Sequence, residues 1–293
     1  MDATRGLRAL ANPRFEVIPV RGVLGHAAGL PPGAHVTVTC SPKLGLERTL
    51  ETSEALLGMG FRVIPHLPAR LVRDRGHLRE VLVRLREAGL REVFVVGGDA
   101  PEPVGGFRSG YELLEALATF PDRPERIGIP CYPEGHPLID AALLAEALRA
   151  KASHADYMVT QICFDPGRIL DWLRATRNAG IHLPVHFGLP GVMASHKLLS
   201  IALKIGLGDS TRLLRRRPST VGRLLAGDYD PATIVRALLE VVADPALDVA
   251  GFHFNTFNAV SSLERWRARM LDEVSRRCAL APPAAAGATA ESY

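Results

Sequence analysis

Cysteine is scarce in this sequence, with four residues among 293, and no two of the four form a CxxC pair. Three of them, Cys40, Cys131 and Cys163, lie in or just after apolar runs that are typical of buried strands, and the fourth is Cys278. Closely spaced thiols are the usual basis of disulfide frames and structural zinc sites. The sequence therefore predicts reduced thiols, no disulfide and no bound metal.

Long hydrophobic runs are also absent. No stretch approaches the roughly 18 apolar residues of a membrane-spanning helix, and the N-terminus has no apolar run of signal-peptide length. The net charge is only +4, and most arginines are spread at helical spacing, which is typical of solvated helix faces. The dense cluster in Arg212–Arg217 is interpreted in the same way, with phosphate or anionic lipid as the alternative. We expect a cytoplasmic protein with no membrane or nucleic-acid partner.

Two nucleotide-binding motifs are missing from the sequence. No GxGxxG follows the first predicted strand, and no GxxxxGK[ST] occurs. These glycine-rich turns hold dinucleotides and phosphates in open α/β sheets. Their absence argues against a doubly wound sheet.

Eight short apolar runs alternate with amphipathic helices along the chain, and this alternation predicts a single-domain (β/α)8 TIM barrel. The predicted strands are Phe15–Pro19, His35–Cys40, Arg62–His66, Val93–Val96, Arg126–Cys131, Tyr157–Gln161, Val185–Phe187 and Val249–Phe254. Residues 1–278 form the predicted barrel, and the Ala/Pro-rich residues 279–293 form a predicted disordered tail. The long segment between strands 7 and 8 predicts extra short helices, at Ser195–Gly206 and Ser219–Ala226.

Several of these runs end in polar side chains, which is how buried parallel strands deliver chemistry to one rim of a barrel. Glu16 lies within the first strand on the same face as Ile18, so it either faces solvent or points inward with a raised pKa suited to a general acid. Asp99 follows two glycines and is either a site carboxylate or a turn cap. Gln161 ends a buried strand, where its amide needs partners that a planar heterocycle supplies. His136 is more typical of a structural hydrogen-bonding residue. The pattern favours an enzyme.

Taken together, these segments resemble the catalytic domain of methylenetetrahydrofolate reductases. The resemblance runs from Phe15 to Asn258 in the family's order. It rests on Phe15-Glu16 with Pro19, Thr39, Pro65-His66-Leu67, Gly98-Asp99 with Pro101, Tyr132-Pro133-Glu134 with His136-Pro137, Thr160-Gln161 with Phe164-Asp165, and Phe252-His253-Phe254 with Thr256 and Asn258.

The resemblance implies reduction of methylenetetrahydrofolate to 5-methyltetrahydrofolate by NAD(P)H. It makes Glu16 the general acid that protonates the bridging nitrogen, and Asp99 the carboxylate that stabilises the resulting iminium cation. It implies substrate contacts for Gln161, Asp99 and Thr256. The positions that it assigns to cofactor binding are Thr39, His66, Tyr132, His136 and Lys151.

The chain departs from this family at positions that hold FAD. Gly97 replaces an arginine before the Gly-Asp pair, and Leu144, Ala147 and Ala150 stand near the polar positions of a later helix, where only Lys151 matches. Lost bidentate arginine contacts weaken pyrophosphate binding. We therefore expect no flavin or weakly bound flavin, and direct hydride transfer from NADH, with NADPH as the alternative.

Three alternatives to this function stay open at this stage. The same reaction could run through bound FAD by a ping-pong route, or the chain could be a non-catalytic folate- or nucleotide-binding paralogue. It could also be a barrel enzyme acting on another one-carbon or imine substrate. The oligomeric state is open, with a homo-oligomer as one alternative. We assign no roles to Met193, Ser195, His196, Asn255 or Phe257.

Overall fold

The computed structural model of the protein describes residues 3–195 and 228–280. Eight parallel strands form a closed barrel, which confirms the predicted fold class. These strands are β1 (Arg14–Val17), β2 (His35–Val38), β3 (Arg62–Pro68), β4 (Glu92–Val96), β5 (Arg126–Cys131), β6 (Tyr157–Thr160), β7 (Val185–Pro190) and β10 (Val249–Asn255). Around the ring their order is β1-β10-β7-β6-β5-β4-β3-β2, and β2 pairs with β1 to close it.

A helix follows each barrel strand before the next one begins, and one more precedes the first strand. The helices are α1 (Ala3–Ala11), α2 (Val23–Ala27), α3 (Gly45–Gly58), α4 (Arg75–Ala88), α5 (Gly110–Ala118), α6 (Ala141–Ala152), α7 (Pro166–Asn178), α8 (Ala232–Ala243) and α9 (Val260–Leu280). None of the helices in these ranges is long and apolar enough to cross a membrane.

Helix boundaries follow the capping signals in the sequence. Asp165 caps α7, accepting hydrogen bonds from the backbone N–H groups of Gly167 and Arg168, with Pro166 in the first turn. α4 ends at Gly89, whose φ of 82° is the left-handed conformation that glycine adopts without strain. These local signals fix where each crossover helix begins and ends.

Alternation along β1 separates the outer core from the barrel interior. Phe15 and Val17 face outward into the main hydrophobic core. Arg14 and Glu16 point inward instead, and Arg14 forms a 2.9 Å ion pair with Glu92 at the base of the barrel. Both readings of Glu16 were open from the sequence, and the inward one is correct.

Two features were not predicted from the sequence. The antiparallel ribbon of β8 (Met193–Ala194) and β9 (Asp228–Tyr229) flanks residues 196–227, which lie outside the described part of the chain together with most of the predicted extra helices, His196 and the Arg212–Arg217 cluster. Helix α1 packs against α8 and α9. At the other end, α9 extends to Leu280, so only residues 281–293 of the predicted tail lie beyond the described range.

Candidate active site

Glu16 is held inside the barrel mouth by two histidines from other strands. Nε2 of His253 on β10 lies 3.0 Å from Oε2 of Glu16, and Nε2 of His66 on β3 lies 3.6 Å from the same oxygen. Oε1 forms no hydrogen bond with a described residue. It is not fully buried, and the Glu16 side chain as a whole is 18% exposed. One carboxylate oxygen is fixed and the other is free.

The expected raised pKa of Glu16 is wrong. Burial is the largest single influence and does raise the pKa of this carboxyl. The hydrogen bond with His253 and the electrostatic attraction of His66 and His253 together outweigh burial, and the pKa is lowered. The sequence argument considered only desolvation and lacked the two imidazoles.

Both histidines are themselves buried, and each has a ring nitrogen without a hydrogen-bond partner among the described residues. These atoms are Nδ1 of His253 and Nε2 of His66. Burial lowers the pKa of His66 to about 4, because a desolvated imidazole disfavours its charged form, while Glu16 acts in the opposite direction. The His66 ring is therefore neutral at pH 7.

The loop after β10 fixes the backbone of Glu16. Both the backbone N–H and the hydroxyl of Thr256 donate to the carbonyl oxygen of Glu16, at 3.1 and 2.7 Å. Asn258 forms two further hydrogen bonds of 2.9 Å with the backbone of Ile18. The Thr256 hydroxyl thus orients the acid's strand, and its contact with substrate stays a prediction.

Asp99 lies at the same rim, three residues beyond the end of β4. Gly98 precedes it with φ of 94°, and a Cβ there would stand 2.9 Å from the Cβ of Pro68, so glycine is needed for both conformation and space. Asp99 itself is exposed. Burial raises the pKa of Tyr132 to about 12, and the charge of Asp99 adds to that shift. Burial lowers the pKa of His136, and the charge of Asp99 opposes that shift. Since all barrel strands are parallel, Asp99 and Glu16 share one end of the barrel.

Gln161 follows β6, and only one of the two polar groups of its side-chain amide is hydrogen-bonded within the described residues. Its Oε1 accepts a hydrogen bond of 2.9 Å from the backbone N–H of Ile162. The side-chain NH2 has no hydrogen-bond acceptor among the described residues, so it is available to an acceptor on a ligand. Nearby, Glu134 accepts hydrogen bonds from Phe164 and Asp165, which ties the loop after β5 to the loop after β6.

The predicted cofactor residues lie at three places in the barrel. Thr39 follows β2 and His66 lies in β3, beside Glu16, so His66 belongs structurally to the acid cluster. Tyr132 and His136 form an edge-to-face pair after β5, with ring centroids 5.3 Å apart, and His136 Nδ1 accepts from the backbone N–H of Leu138. The residue Lys151 lies apart, near the end of α6.

A cavity of about 260 Å³ lies between β5, α6 and α7, and both Lys151 and Tyr132 line it. Burial lowers the pKa of Lys151, because its ammonium is poorly solvated there. Two basic side chains, Arg149 and Lys151, line the cavity, and most of the remaining lining is apolar. The lining residues are Pro130, Cys131, Tyr132, Pro133, Gly135, Ala141, Leu144, Ala145, Ala147, Leu148, Arg149, Lys151, Trp172, Ala175, Thr176, Ala179 and Ile181.

This lining does not fit a flavin dinucleotide. No carboxylate or side-chain amide is among the described residues that line the cavity, so the hydroxyls of Tyr132 and Thr176 are the side-chain oxygens left to accept from ribityl and ribose groups. The volume lies below the range of about 300–1,000 Å³ typical of small-molecule sites. Arg149 and Lys151 could meet a phosphate, but the remaining contacts are missing.

Comparison with known proteins identifies the family. The family model described as methylenetetrahydrofolate reductase matches residues 28–207, which is more than half of the chain. The chain belongs to the methylenetetrahydrofolate reductase family. The matched range includes His66, Asp99 and Gln161, whereas Glu16 and His253 lie outside it, and the barrel topology brings these five residues to one rim.

Two family members from fungi are similar to parts of the chain. Methylenetetrahydrofolate reductase 1 of Schizosaccharomyces pombe is 32% identical over 120 residues, which are 38% of this chain and 19% of that protein. Methylenetetrahydrofolate reductase 2 of Saccharomyces cerevisiae is 28% identical over 156 residues, which are 48% of this chain and 24% of that protein. The alignments thus span about a quarter or less of these relatives.

A solved structure from Burkholderia cenocepacia J2315 superposes with a TM-score of 0.46 at 16% identity, covering 96% of this chain and 91% of that one.

Within the described ranges, no group of three or more His, Cys, Asp or Glu side chains could hold a metal ion.

Proposed function

We propose that this protein reduces methylenetetrahydrofolate to 5-methyltetrahydrofolate with NAD(P)H as the hydride donor. The observation that carries the proposal is the fixed geometry of Glu16. His253 holds Oε2, Thr256 holds the backbone, and Oε1 remains open toward the barrel mouth. An acid presented in this way suits protonation of a substrate nitrogen.

Glu16 must carry a proton to act as the acid, although its pKa is lowered in the free protein. A pterin lying over the mouth excludes water from Oε1 and increases the burial of the carboxyl. Because burial is already the largest influence on Glu16, substrate binding raises its pKa and favours the protonated form. Glu16 therefore becomes able to act as a general acid when substrate binds.

The reaction then balances as two steps. Glu16 gives its proton to the bridging nitrogen, the bond from that nitrogen to the methylene carbon breaks, and a methylene-iminium cation remains. Asp99 stabilises this cation, and Gln161 donates its free NH2 to the pterin edge. A hydride from the nicotinamide adds to the methylene carbon and forms the methyl group.

Direct hydride transfer is the route that the lining chemistry favours. The described lining of the cavity beside α6 has no carboxylate or side-chain amide to accept from flavin hydroxyls, and Gly97 leaves no cation directly before Gly98. Both substrates would then occupy the barrel mouth together. This requires a ternary complex of protein, folate and nicotinamide.

Steady-state kinetics test the route. Loss of NADH or NADPH absorbance is followed while both substrates are varied, and the visible spectrum of fresh protein is recorded. We expect intersecting initial-rate lines and no flavin band. Parallel lines with a stoichiometric yellow chromophore would replace the direct route with the FAD ping-pong route. Folate binding without turnover with either nicotinamide would identify a non-catalytic folate-binding paralogue.

A further inference from the structure

Arg70 occupies a fixed place at the barrel rim, in the short 3-10 helix Ala69–Leu71 that follows β3. Its backbone N–H donates to the carbonyl of Gly97 at 3.1 Å, and its own carbonyl accepts from the N–H of Val104 at 3.0 Å. Both bonds tie Arg70 to the loop after β4. The side chain therefore starts from a defined point beside Gly97-Gly98-Asp99.

The guanidinium of Arg70 has no partner among the described residues. Its Nε is buried without a hydrogen-bond acceptor, and the side chain forms no ion pair. Arg73, three residues further along, pairs with Glu80, and Arg14 pairs with Glu92. A buried N–H without an acceptor is unfavourable and rare in folded proteins, so an unpaired one marks a place where a ligand can supply the acceptor.

Open space lies at Gly97, whose carbonyl accepts from the backbone N–H of Arg70. A Cβ at Gly97 would meet nothing within 4 Å, whereas a Cβ at Gly98 would stand 3.7 Å from the Cβ of Arg70 and closer still to Pro68. Gly98 is thus packed against the Arg70 turn, and Gly97 faces free volume. A ligand can approach the backbone at Gly97 with Arg70 on its flank.

We propose that Arg70 binds an oxyanion of a bound substrate at this rim, which is a role separate from acid chemistry at Glu16. A planar guanidinium matches phosphate and carboxylate groups with two parallel hydrogen bonds. The inference rests on the proposed function, which supplies two sources of such an oxyanion. They are the pyrophosphate of the nicotinamide dinucleotide and the glutamate carboxylates of the folate.

Equilibrium binding separates these sources. Isothermal titration of wild type, Arg70→Met and Arg70→Lys uses ADP-ribose as the dinucleotide probe, and 5-methyltetrahydrofolate as the folate probe. Arg73→Met is the matched control, since it removes an arginine from the same loop. We expect Arg70→Met to bind one probe roughly tenfold to hundredfold more weakly, because a charge-assisted pair is lost, with Arg70→Lys in between.

The probe whose affinity falls in Arg70→Met identifies the source of the oxyanion. Binding of that probe should also depend less on salt concentration in Arg70→Met than in wild type. Unchanged binding of both probes, or equal loss in Arg73→Met, would overturn the role of Arg70. If wild type still consumes NADH with methylenetetrahydrofolate in that case, the proposed function stands. If wild type binds neither probe and has no turnover, both proposals fail together.

Discussion

Two carboxylates lie inside the same barrel at different depths, and one pairs with an arginine while the other pairs with histidines. Glu92, at the first residue of β4, pairs with Arg14, which also lies 4.1 Å over the ring of Tyr157. Glu16, nearer the rim, pairs with His253 and His66. Arginine stays charged at every relevant pH, whereas an imidazole can take up and release a proton. The Arg14–Glu92 ion pair at the base of the barrel is thus suited to stabilising the fold. The cluster of Glu16, His66 and His253 at the rim is suited to proton transfer.

The largest expected effect comes from Glu16→Gln. The amide keeps the shape of the side chain but has no acidic proton, so we expect kcat to fall by roughly 10²- to 10⁴-fold, with folate affinity nearly unchanged. Turnover and folate titration measure the two quantities. Glu51→Gln, on the exposed face of α3, is the matched control. Wild-type turnover in Glu16→Gln would remove Glu16 from the mechanism.

Glu92→Gln tests the other half of the comparison. Arg14 is only 3% exposed, so losing its anionic partner leaves a buried, uncompensated charge. We expect the free energy of unfolding to fall by about 3–5 kcal/mol in urea titrations, with kcat per folded molecule retained. A loss of activity without a loss of stability would show that the two carboxylates do not differ in the way described.

Asp99→Asn should lower the rate without affecting stability. Asp99 is exposed and forms no ion pair with a described residue, so its charge is free to act on substrate. We expect kcat to fall roughly tenfold to hundredfold as stabilisation of the cation is lost. Rate measurements paired with thermal unfolding check this. An unchanged rate with lower stability would make Asp99 a turn cap.

His66 should also make the stability of the protein depend on pH. Its pKa falls from the ordinary 6.5 to about 4 on folding, so the unfolded chain binds more protons between these values. Stability therefore rises with pH from about 4 to 6.5, by at most about 1.4 kcal/mol per pH unit. The lowered pKa of Glu16 adds the same sign only below about 4.5. His66→Gln should flatten the slope above pH 4.5, and the exposed His182→Gln should not.

The fold was largely predictable because each strand and helix leaves a local signal. The apolar runs, the Asp165-Pro166 start of α7 and the Gly89 end of α4 need no knowledge of distant residues. The ribbon of β8 and β9 was missed because each strand has only two residues, which is too short for a periodic pattern.

The electrostatics of the site were less predictable. His253 stands between Phe252 and Phe254, and alternation already indicates that it faces away from those two buried rings. That signal could have placed His253 in the interior. Its level relative to Glu16 depends on the stagger between strands, which no local pattern contains. The direction of the Glu16 pKa shift depends on that stagger.

Glu16 meets His253 across 237 positions of sequence, and Thr256 closes over its backbone from the same final strand end. During synthesis the proposed acid therefore emerges early and waits for nearly all of the barrel to follow. A prematurely terminated product that ends before β10 would carry Glu16 but neither of these partners. Translation errors of this kind should consequently yield fragments that lack the side chains holding Glu16 in place.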